Sequence, residues 1–420
     1  MSINHNITKI AKSLLLLFIL LSLAFVSCIY VSTWIPEALI QKNAISSCKT
    51  ISQNRSEGRI VNIPGAAAGF TDGIMVNVTC VQNSEEPMLS TLQGKLQLIG
   101  GDPATADDAC IKYHEGNEDN LQPWYYARYW HGYILPLKVS LMLFDYSEII
   151  FIGAIIYSLL FVILVFLSYK KLGRGVAICF TISQLLFLTP VSVFSLTNPV
   201  CYYIAYTASI ILLLLPSKYI NNLHFTALFF FSVGGVTCYL DFLRTPILCL
   251  GMPLTYLLLI KNKQQSLTST KSLISLLSMI GIWLLGYVSL WSVKWGILYF
   301  AGIDPGGTRP IDSIVGRMFD SVFTSEYLLR SICILASTAA YFVCSILYIR
   351  YVKRNHPGRL MVTIALLLIA GLAPIWASLA LNHTVVHARF VHRIYSLTAF
   401  CLLLLIPRVQ HSISSSNESE

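Results

Sequence analysis

The chain has 420 residues, of which 55% are hydrophobic and only 12% are charged, and its formal net charge is +9. Soluble globular proteins carry about 25% charged residues, so this composition excludes an ordinary soluble protein. The positive charge does not indicate a nucleic-acid partner. Its basic residues are spread over predicted cytoplasmic loops, where positive charge sets topology and meets anionic lipid.

Long apolar blocks recur along the chain, and the clearest are "SLLLLFILLSLAFVSCIYV" at 13–31 and "IIFIGAIIYSLLFVILVFLS" at 149–168. A helix of roughly 20 such residues crosses a bilayer core of about 30 Å. The sequence therefore predicts an all-α integral membrane protein with about ten transmembrane helices. The predicted spans lie near residues 13–35, 149–168, 176–194, 199–215, 223–240, 246–260, 273–293, 328–349, 360–380 and 390–407.

The spans divide the chain into six parts. These are an N-terminal anchor helix (1–35), a large extracytoplasmic loop (36–148), transmembrane helices (149–293), a second extracytoplasmic loop (294–327), further transmembrane helices (328–407) and a disordered cytoplasmic tail (408–420). The first segment also has features of a signal peptide, because Lys9 and Lys12 precede an apolar run that reaches Cys28. The run continues to Ile35, and this length favours an uncleaved anchor.

Lysine and arginine in the connections predict the orientation, because cytoplasmic loops are enriched in both. With a cytoplasmic N-terminus, 14 of the 29 basic residues lie inside, but only Glu418 and Glu420 of the 20 acidic residues do. Nearly all the non-membrane mass then lies outside. We therefore predict a multi-pass protein of the cytoplasmic membrane that works at its outer surface.

Two stretches in the outer loops are typical of helices that lie on the membrane. In "RPIDSIVGRMFDSVF" (309–323) the apolar residues follow one helical stripe, and "ILPLKVSLMLF" (134–144) is apolar but too short to span. The alternative is that both pack against the protein's own outer domain. Three cysteines, Cys48, Cys80 and Cys110, share the first outer loop; they allow one disulfide, but the sequence does not pair them.

Unusual polar residues gather at the outer ends of the predicted spans. They occur in "WYYARYWHGY" (124–133), with Arg128 and His131, and in "CYLDFLRTP" (238–246), with Asp241 and Arg244. A third group is "NHTVVHARFVHR" (382–393). Ionisable groups at membrane depth are costly and indicate function by default, so we expect these segments to form one polar pocket at the outer surface.

Asp241 is the most distinctive of these residues, because it is the only acidic residue in a short outer loop. Either it pairs structurally with Arg244 or another arginine, or it acts as a general base whose pKa rises through partial desolvation. In "GFTDGIMVN" (69–77), Asp72 is a second candidate base. Thr71 before it is more typical of a helix cap.

The stretch 382–393 resolves further if its helix continues into the last span. At about 100° per residue, Arg389 and Arg393 then share one face and form a fork suited to a phosphate or pyrophosphate. His383 and His387 share a neighbouring face. The alternative for the two arginines is snorkelling to the membrane surface. The histidine pair has no HExxH glutamate and no evident third ligand, so a divalent metal is not indicated and we expect no cofactor.

No nucleotide fingerprint, Ser-His-Asp signature or zinc motif occurs in the sequence, and a cytoplasmic nucleotide-sugar domain is absent. If the protein transfers a sugar, its donor is therefore expected to be lipid-linked and presented on the outer side.

The elements "TDGIMVN", "RYWHGY", "DFLRTP" and "HTVVHARFVHR" resemble those of uncharacterised bacterial multi-pass membrane proteins of surface-polysaccharide loci, over about residues 60–395. The architecture resembles that of GT-C superfamily glycosyltransferases, which have a first outer loop with membrane-lying helices and an active site at the outer surface. The likeness to that superfamily is one of architecture. It implies a bacterial cytoplasmic (inner) membrane protein that uses a polyprenyl-phosphate sugar donor.

The same resemblance implies roles for individual residues. Asp72 or Asp241 corresponds to the base, and Arg128, Arg389 and Arg393 correspond to the phosphate clamp. GT-C enzymes usually place an acid soon after the first span, where this sequence has only Glu37.

The expected function is therefore transfer of a sugar from a polyprenyl-phosphate donor to a cell-surface glycan or lipid acceptor. The aromatics Trp124, Trp130 and Tyr133 are expected to stack on sugar faces, or else to form an interfacial aromatic belt. One alternative function is an oligosaccharide polymerase or ligase that acts on lipid-pyrophosphate-linked glycans. A lipid or glycan transporter or flippase is an alternative of a different class, and a non-catalytic assembly partner is a further one.

Overall fold

The computed structural model describes residues 2–56, 69–81, 85–267, 269–303, 324 and 326–406, and the side chains from residue 7 onward. The amphipathic helix predicted at 309–323 and the tail at 408–420 lie outside these residues. The α-helices are α1 (Ser2–Ser32), α2 (Glu37–Ser56), α3 (Gly69–Cys80), α4 (Pro87–Gln93), α5 (Ala106–His114), α6 (Ile134–Leu141), α7 (Tyr146–Leu172), α8 (Arg174–Leu186), α9 (Val200–Leu214), α10 (Ser217–Ile220), α11 (Leu223–Leu240), α12 (Pro246–Lys263), α13 (Thr270–Phe300), α14 (Leu328–Asn355), α15 (Leu360–Ala370), α16 (Leu372–Leu379), α17 (Leu381–Val386), α18 (Ala388–Val391) and α19 (Tyr395–Leu403). The strands are β1 (Lys95–Ile99) and β2 (Leu121–Tyr125).

Six helical segments of the described chain are long and apolar enough to cross a membrane. They are Ile7–Ser32 of α1, α7, α11, α13, α14 and Pro357–Leu379, which contains α15 and α16. The protein is therefore a helical multi-pass membrane protein, as the composition predicted. The other four predicted spans coincide with α8, α9, α12 and α19, which are shorter or more polar, so a total of ten stays a prediction.

The described residues between α1 and α7 form a small unit, which we call the outer segment (residues 37–145) after the position predicted for it from the sequence. It also contains an antiparallel ribbon, which the sequence analysis did not predict: β1 pairs with β2 from Lys95 opposite Tyr125 to Ile99 opposite Leu121. Gly94 ends α4 in the left-handed conformation, which glycine adopts without strain, and β1 begins at the next residue. Leu96 and Leu98 alternate with their neighbours and are buried.

Polar contacts hold α3 within the outer segment. The side-chain amide of Asn77 donates to the carbonyl oxygens of Gln97 (2.8 Å) and Ala106 (2.6 Å) and accepts from the Gln97 N–H (3.0 Å). On α2, Arg55 forms ion pairs with Asp107 (2.8 Å) and Asp108 (2.9 Å) at the start of α5. As a result α2, α3, α5 and β1 form one unit.

The predicted membrane-lying helix at 134–144 is realised as α6. It packs against α1, α2 and α3 and buries Ile134, Leu137 and Leu141, while Val139 is exposed. One side of this helix therefore packs against the outer segment, which was the alternative to a position on the membrane.

Among the spans, α11 and α13 make the closest contact because glycines lie where they cross. A Cβ atom on Gly234 would overlap the carbonyl oxygen of Trp283, and one on Gly286 would overlap the carbonyl oxygen of Phe231. Small residues let membrane helices approach in this way. This contact fixes the end of α11, from which the chain turns into the candidate site.

Candidate functional site

A pocket of about 220 Å³ lies where four separated segments of the chain meet. These are the first turn of α3, residues 126–129 before α6, residues 242–244 after α11, and residues 383–390. Its basic and imidazole side chains are those of Arg244, His383, His387 and Arg389. Four of the nine predicted site residues therefore line one pocket. Asp72, Arg128, His131, Asp241 and Arg393 are not among the residues that line it.

The turn after α11 places Arg244. Both carboxylate oxygens of Asp241 accept a hydrogen bond from the Arg244 backbone N–H, at 3.1 Å each, and Leu243 between them has φ of +61°. A bulky residue in the left-handed region is a strained conformation that surrounding structure must hold in place. The turn directs the Arg244 side chain into the pocket wall.

The Arg244 guanidinium is buried and held on two sides. Its Nη1 donates to Oδ1 of Asn198 at 2.9 Å, and its Cζ lies 4.0 Å from the centroid of the Phe390 ring. A cation over an aromatic face in a desolvated site is a favourable contact. Arg244 is therefore a fixed positive group in the wall.

Asp241 is buried, and burial raises its pKa to about 6. Among the described residues it makes no side-chain ion pair with Arg244, so the predicted pairing takes the form of a bond from the carboxylate to the Arg244 backbone. Its role as a general base stays a prediction. The carboxylate supports the turn and does not line the pocket.

Asp72, the second candidate base, is fully buried and surrounded by donors. It accepts hydrogen bonds from the Tyr146 hydroxyl (2.9 Å), the Ser195 hydroxyl (3.0 Å) and the Leu196 N–H (3.1 Å), and from the hydroxyl (3.3 Å) and N–H (3.4 Å) of Thr197. Burial raises its pKa, while hydrogen bonds and the nearby Arg244 guanidinium act to lower it; the carboxylate does not line the pocket, and it joins α3 to the chain before α9. Its neighbour Thr71 lines the pocket from within the first turn of α3, so Thr71 is not a cap preceding that helix.

The helix predicted through 382–393 is interrupted. The chain forms α17 and α18 with His387 between them, followed by a 3-10 turn at His392–Ile394. The rings of His383 and His387 lie 4.7 Å apart, as their helical spacing predicted, and the His387 ring stacks on Phe390 at 5.2 Å. The two imidazoles therefore lie side by side in the pocket.

The interruption means that Arg389 and Arg393 do not share one face of a continuous helix, as predicted, while their joint role as a phosphate clamp stays a prediction. Arg389 is exposed and lines the pocket. Arg393 is buried and faces Tyr157 and Tyr202, with which it interacts electrostatically. The second guanidinium of the pocket is instead that of Arg244.

The stretch 124–133 contributes two tyrosines, Tyr126 and Tyr129, to the pocket lining, but neither of its predicted polar site residues. The carbonyl oxygen of Arg128 accepts hydrogen bonds from the indoles of Trp291 (2.8 Å) and Trp295 (3.3 Å), and its side chain does not line the pocket. Nε2 of His131 lies 2.7 Å from the carbonyl oxygen of Tyr126, and burial lowers the pKa of His131 to about 3. His131 is therefore buried and does not line the polar pocket in which the sequence analysis expected it.

The aromatic residues that the sequence analysis expected to stack on sugars do not line the pocket either. Trp130 is buried and donates to the carbonyl oxygen of Leu290 at 2.8 Å, and Tyr133 is buried against His131. The aromatic walls of the pocket are instead Phe70, Tyr126, Tyr129, Phe242 and Phe390. All five lie in stretches that the sequence analysis quoted, although none was itself named as a site residue. Asn198, which holds Arg244, had no comparable signal.

Larger hollows occur elsewhere in the described chain. Two of them, of about 510 and 480 Å³, have almost wholly apolar walls formed by span surfaces. A third, of about 700 Å³, lies at the opposite ends of the spans beside Lys171 and Lys263. Only the pocket at Arg244 combines two guanidiniums, two imidazoles and aromatic walls among the described residues.

No protein-family model, curated protein or solved structure matches this chain.

Proposed function

We propose that this protein is a GT-C-type glycosyltransferase with about ten spans, a cytoplasmic N-terminus and its site at the outer face of the bacterial cytoplasmic membrane. It moves a sugar from a polyprenyl-phosphate donor to a cell-surface glycan or lipid acceptor. The pocket is the observation that carries this proposal. Its described lining contains Arg244, Arg389 and two histidines but no carboxylate, which favours an anionic ligand.

The two arginines suit a phosphate in different ways. Arg244 is already held by Asn198 and Phe390, so it loses little freedom when a ligand binds. Arg389 is exposed and closes on the ligand from the opposite segment. Guanidinium–phosphate hydrogen bonds are charge-assisted and bidentate, which makes them stronger than neutral ones. The aromatic walls offer apolar faces to the sugar and to the first prenyl carbons.

In the proposed reaction the acceptor hydroxyl oxygen attacks the anomeric carbon of the donor sugar. The bond from that carbon to the phosphate oxygen breaks, and the electron pair leaves with the phosphate. Negative charge grows on the phosphate in the transition state, so fixed cations there lower the barrier.

A base must accept the proton of the acceptor hydroxyl. We assign this role to the His383–His387 pair, because these rings line the pocket and the two candidate carboxylates do not. Imidazole is the side chain used most often as a general base. Asp241 then supports catalysis by holding the turn that presents Arg244.

An oligosaccharide polymerase or ligase is the second candidate. It would use the same chemistry on a lipid pyrophosphate, and two arginines with no carboxylate among the described lining residues also suit that more highly charged group. The length of the lipid-linked anion separates the two candidates experimentally.

The test is equilibrium binding of a short-chain prenyl phosphate to the purified protein in detergent, beside the matching prenyl pyrophosphate and prenyl alcohol. We expect the alcohol to bind most weakly, because it lacks the anion. We expect Arg389→Ala to weaken phosphate binding about tenfold to a hundredfold, the effect of losing charge-assisted hydrogen bonds.

Arg350→Ala is the matched control, since Arg350 is an exposed arginine on α14 outside the pocket, and its binding should equal that of the wild type. Tighter binding of the pyrophosphate than of the phosphate would favour the polymerase or ligase. Equal binding of alcohol and phosphate, or an Arg389→Ala variant with wild-type affinity, would overturn the proposal.

A further inference from the structure

A second cluster of chemically reactive side chains lies in the core of the outer segment, apart from the pocket. Cys48 is on α2, Cys80 ends α3, and Cys110 and His114 lie one turn apart on α5. The thiols of Cys80 and Cys110 and a ring nitrogen of His114 all lie within 4.8 Å of one another. The Cys48 thiol lies outside that group of three, but it is hydrogen-bonded to the Cys110 thiol.

The position of these groups is unusual for ordinary core packing. All three cysteines are completely buried, and each is a free thiol in the described chain. Nε2 of His114 is buried and makes no hydrogen bond of ordinary geometry among the described residues, and the imidazole interacts with the Cys110 thiol. A buried polar nitrogen without a hydrogen bond of ordinary geometry is costly, so its presence beside three thiols points to a ligand that completes the site.

Three sulfurs and one imidazole nitrogen are the donor set of a structural zinc site, in which the ion is held by four protein ligands. Soft thiolates select zinc-like ions over magnesium or calcium, which prefer oxygen. Each ligating thiol would release its proton to solvent, which leaves one net negative charge if three thiolates bind a divalent ion.

A nearby cation offsets that charge. Lys138 on α6 is buried, donates to the carbonyl oxygen of Ser32 at 3.0 Å and interacts electrostatically with Cys80. It makes no ion pair with an acidic side chain among the described residues. Glu37 on α2 also attracts Lys138 electrostatically, so the lysine is shared between this carboxylate and the charge of the proposed metal centre.

We propose that Cys48, Cys80, Cys110 and His114 bind one zinc ion, which fastens α2, α3 and α5 to one another. Cys80 and the pocket residue Thr71 belong to the same helix, so the ion also fixes the helix that supplies one wall of the pocket. This proposal does not depend on the proposed reaction, because it concerns the stability of the outer segment.

The rival chemistry is a disulfide between two of the three cysteines. It would leave the third cysteine and His114 without a role, whereas the metal uses all four donors. The two differ in the number of reactive thiols: after metal removal and denaturation without reductant, a metal site leaves all 11 cysteines of the chain reactive, and a disulfide leaves two fewer.

The experiment measures bound zinc in the full-length protein purified in detergent without added chelator. We expect about one ion per chain, the stoichiometry of a single four-ligand site. Loss of more than nine-tenths of this zinc is expected in His114→Gln, and also in Cys80→Ser where that variant folds. Cys333→Ser, at an exposed cysteine on α14, is the matched control and should keep its zinc.

Cobalt substitution gives a second reading on the wild-type protein alone. Cobalt bound by thiolates produces a charge-transfer band in the near ultraviolet, and we expect this band when cobalt is added to the metal-free wild-type protein. The proposal is overturned if the wild type binds neither zinc nor cobalt, if His114→Gln retains full zinc, or if thiol titration finds two cysteines joined.

Discussion

Two polar regions lie side by side on the first turn of α3, and they differ in how their charges are balanced. At Asp72 one buried carboxylate is surrounded by donors from Tyr146, Ser195, Leu196 and Thr197. In the pocket beside Thr71, two guanidiniums and two imidazoles surround a cavity with no carboxylate among its described lining residues.

The difference separates a structural polar group from a binding one. A buried polar group whose partners are all supplied by the protein stabilises the fold and has little left to offer a ligand. In the pocket, Asp72 and Asp241 attract Arg244 electrostatically from outside the lining, and no carboxylate among the described lining residues competes with an anionic ligand for the cavity. The following predictions test whether the two regions really divide in this way.

The largest effect is expected from Asp72→Ala. The substitution removes the shared acceptor of three hydroxyls and two backbone N–H groups, and we expect it to lower the free energy of unfolding by about 4 kcal/mol. Thermal unfolding of the purified protein in detergent measures it. Asp108→Ala is the control, since its ion pair with Arg55 is partly exposed and is worth less than about 1 kcal/mol. Equal melting temperatures for the two variants would contradict the structural role of Asp72.

A pH dependence is expected from Asp241. Burial raises its folded pKa to about 6, above the value of about 3.9 in an unfolded chain, so the folded state binds the proton more tightly. Below about pH 4 the carboxyl is protonated in both states and costs no stability. As the pH rises to about 6 the unfolded state ionises first, and we expect a loss of the order of 3 kcal/mol.

Asp241→Asn isolates this contribution. Melting temperatures measured across this pH range should fall less steeply in the variant than in the wild type, because the amide does not ionise. Asp107 also has its pKa raised to about 6 by burial and contributes in the same direction, so it is the difference between the two profiles that is diagnostic. Parallel profiles would mean that Asp241 ionises as easily in the folded protein as in the unfolded one.

The sequence predicted the membrane class well and the outer segment poorly. Apolar blocks such as 149–168 need no partner to reveal a span, because the bilayer alone sets their length. The ribbon of Lys95–Ile99 with Leu121–Tyr125 was missed because its pairing is decided by contacts more than 20 residues apart. The predicted helix at 382–393 failed at His387, where no proline or glycine marks the interruption.

For the site, the sequence indicated the correct segments but not the direction of each side chain. Arg389 and Arg393 are four residues apart, yet only the first lines the pocket. The chain turns towards the pocket at Leu243, whose backbone is in the left-handed conformation. A leucine gives no sequence signal for that conformation. Asn198, its partner from the start of α9, lies 46 residues away in the chain.

Gly132→Ala tests whether packing positions the aromatic wall. The Gly132 N–H donates to the carbonyl oxygen of Tyr239 at 3.0 Å, and a Cβ atom there would overlap the Tyr239 ring and approach that oxygen to 2.6 Å. We expect the melting temperature to fall by the equivalent of about 2 kcal/mol, the usual cost of overpacking. Gly281→Ala, where a Cβ atom meets nothing within 4 Å, should be neutral or slightly stabilising. A neutral Gly132→Ala would show that the turn before α6 is not seated on α11.

The smallest stability effect belongs to the residue with the largest proposed part in binding. Arg389 is exposed, so Arg389→Ala should change the free energy of unfolding by less than about 0.5 kcal/mol while it weakens binding of a prenyl phosphate. Arg393→Ala should do the reverse, because that buried side chain packs beside Tyr157 and Tyr202 and does not line the pocket. Both variants are measured for thermal unfolding and for prenyl-phosphate binding. We expect Arg389→Ala to change only the binding and Arg393→Ala to change only the stability. If both arginines affected stability alone, the pocket would be another balanced polar region like that around Asp72.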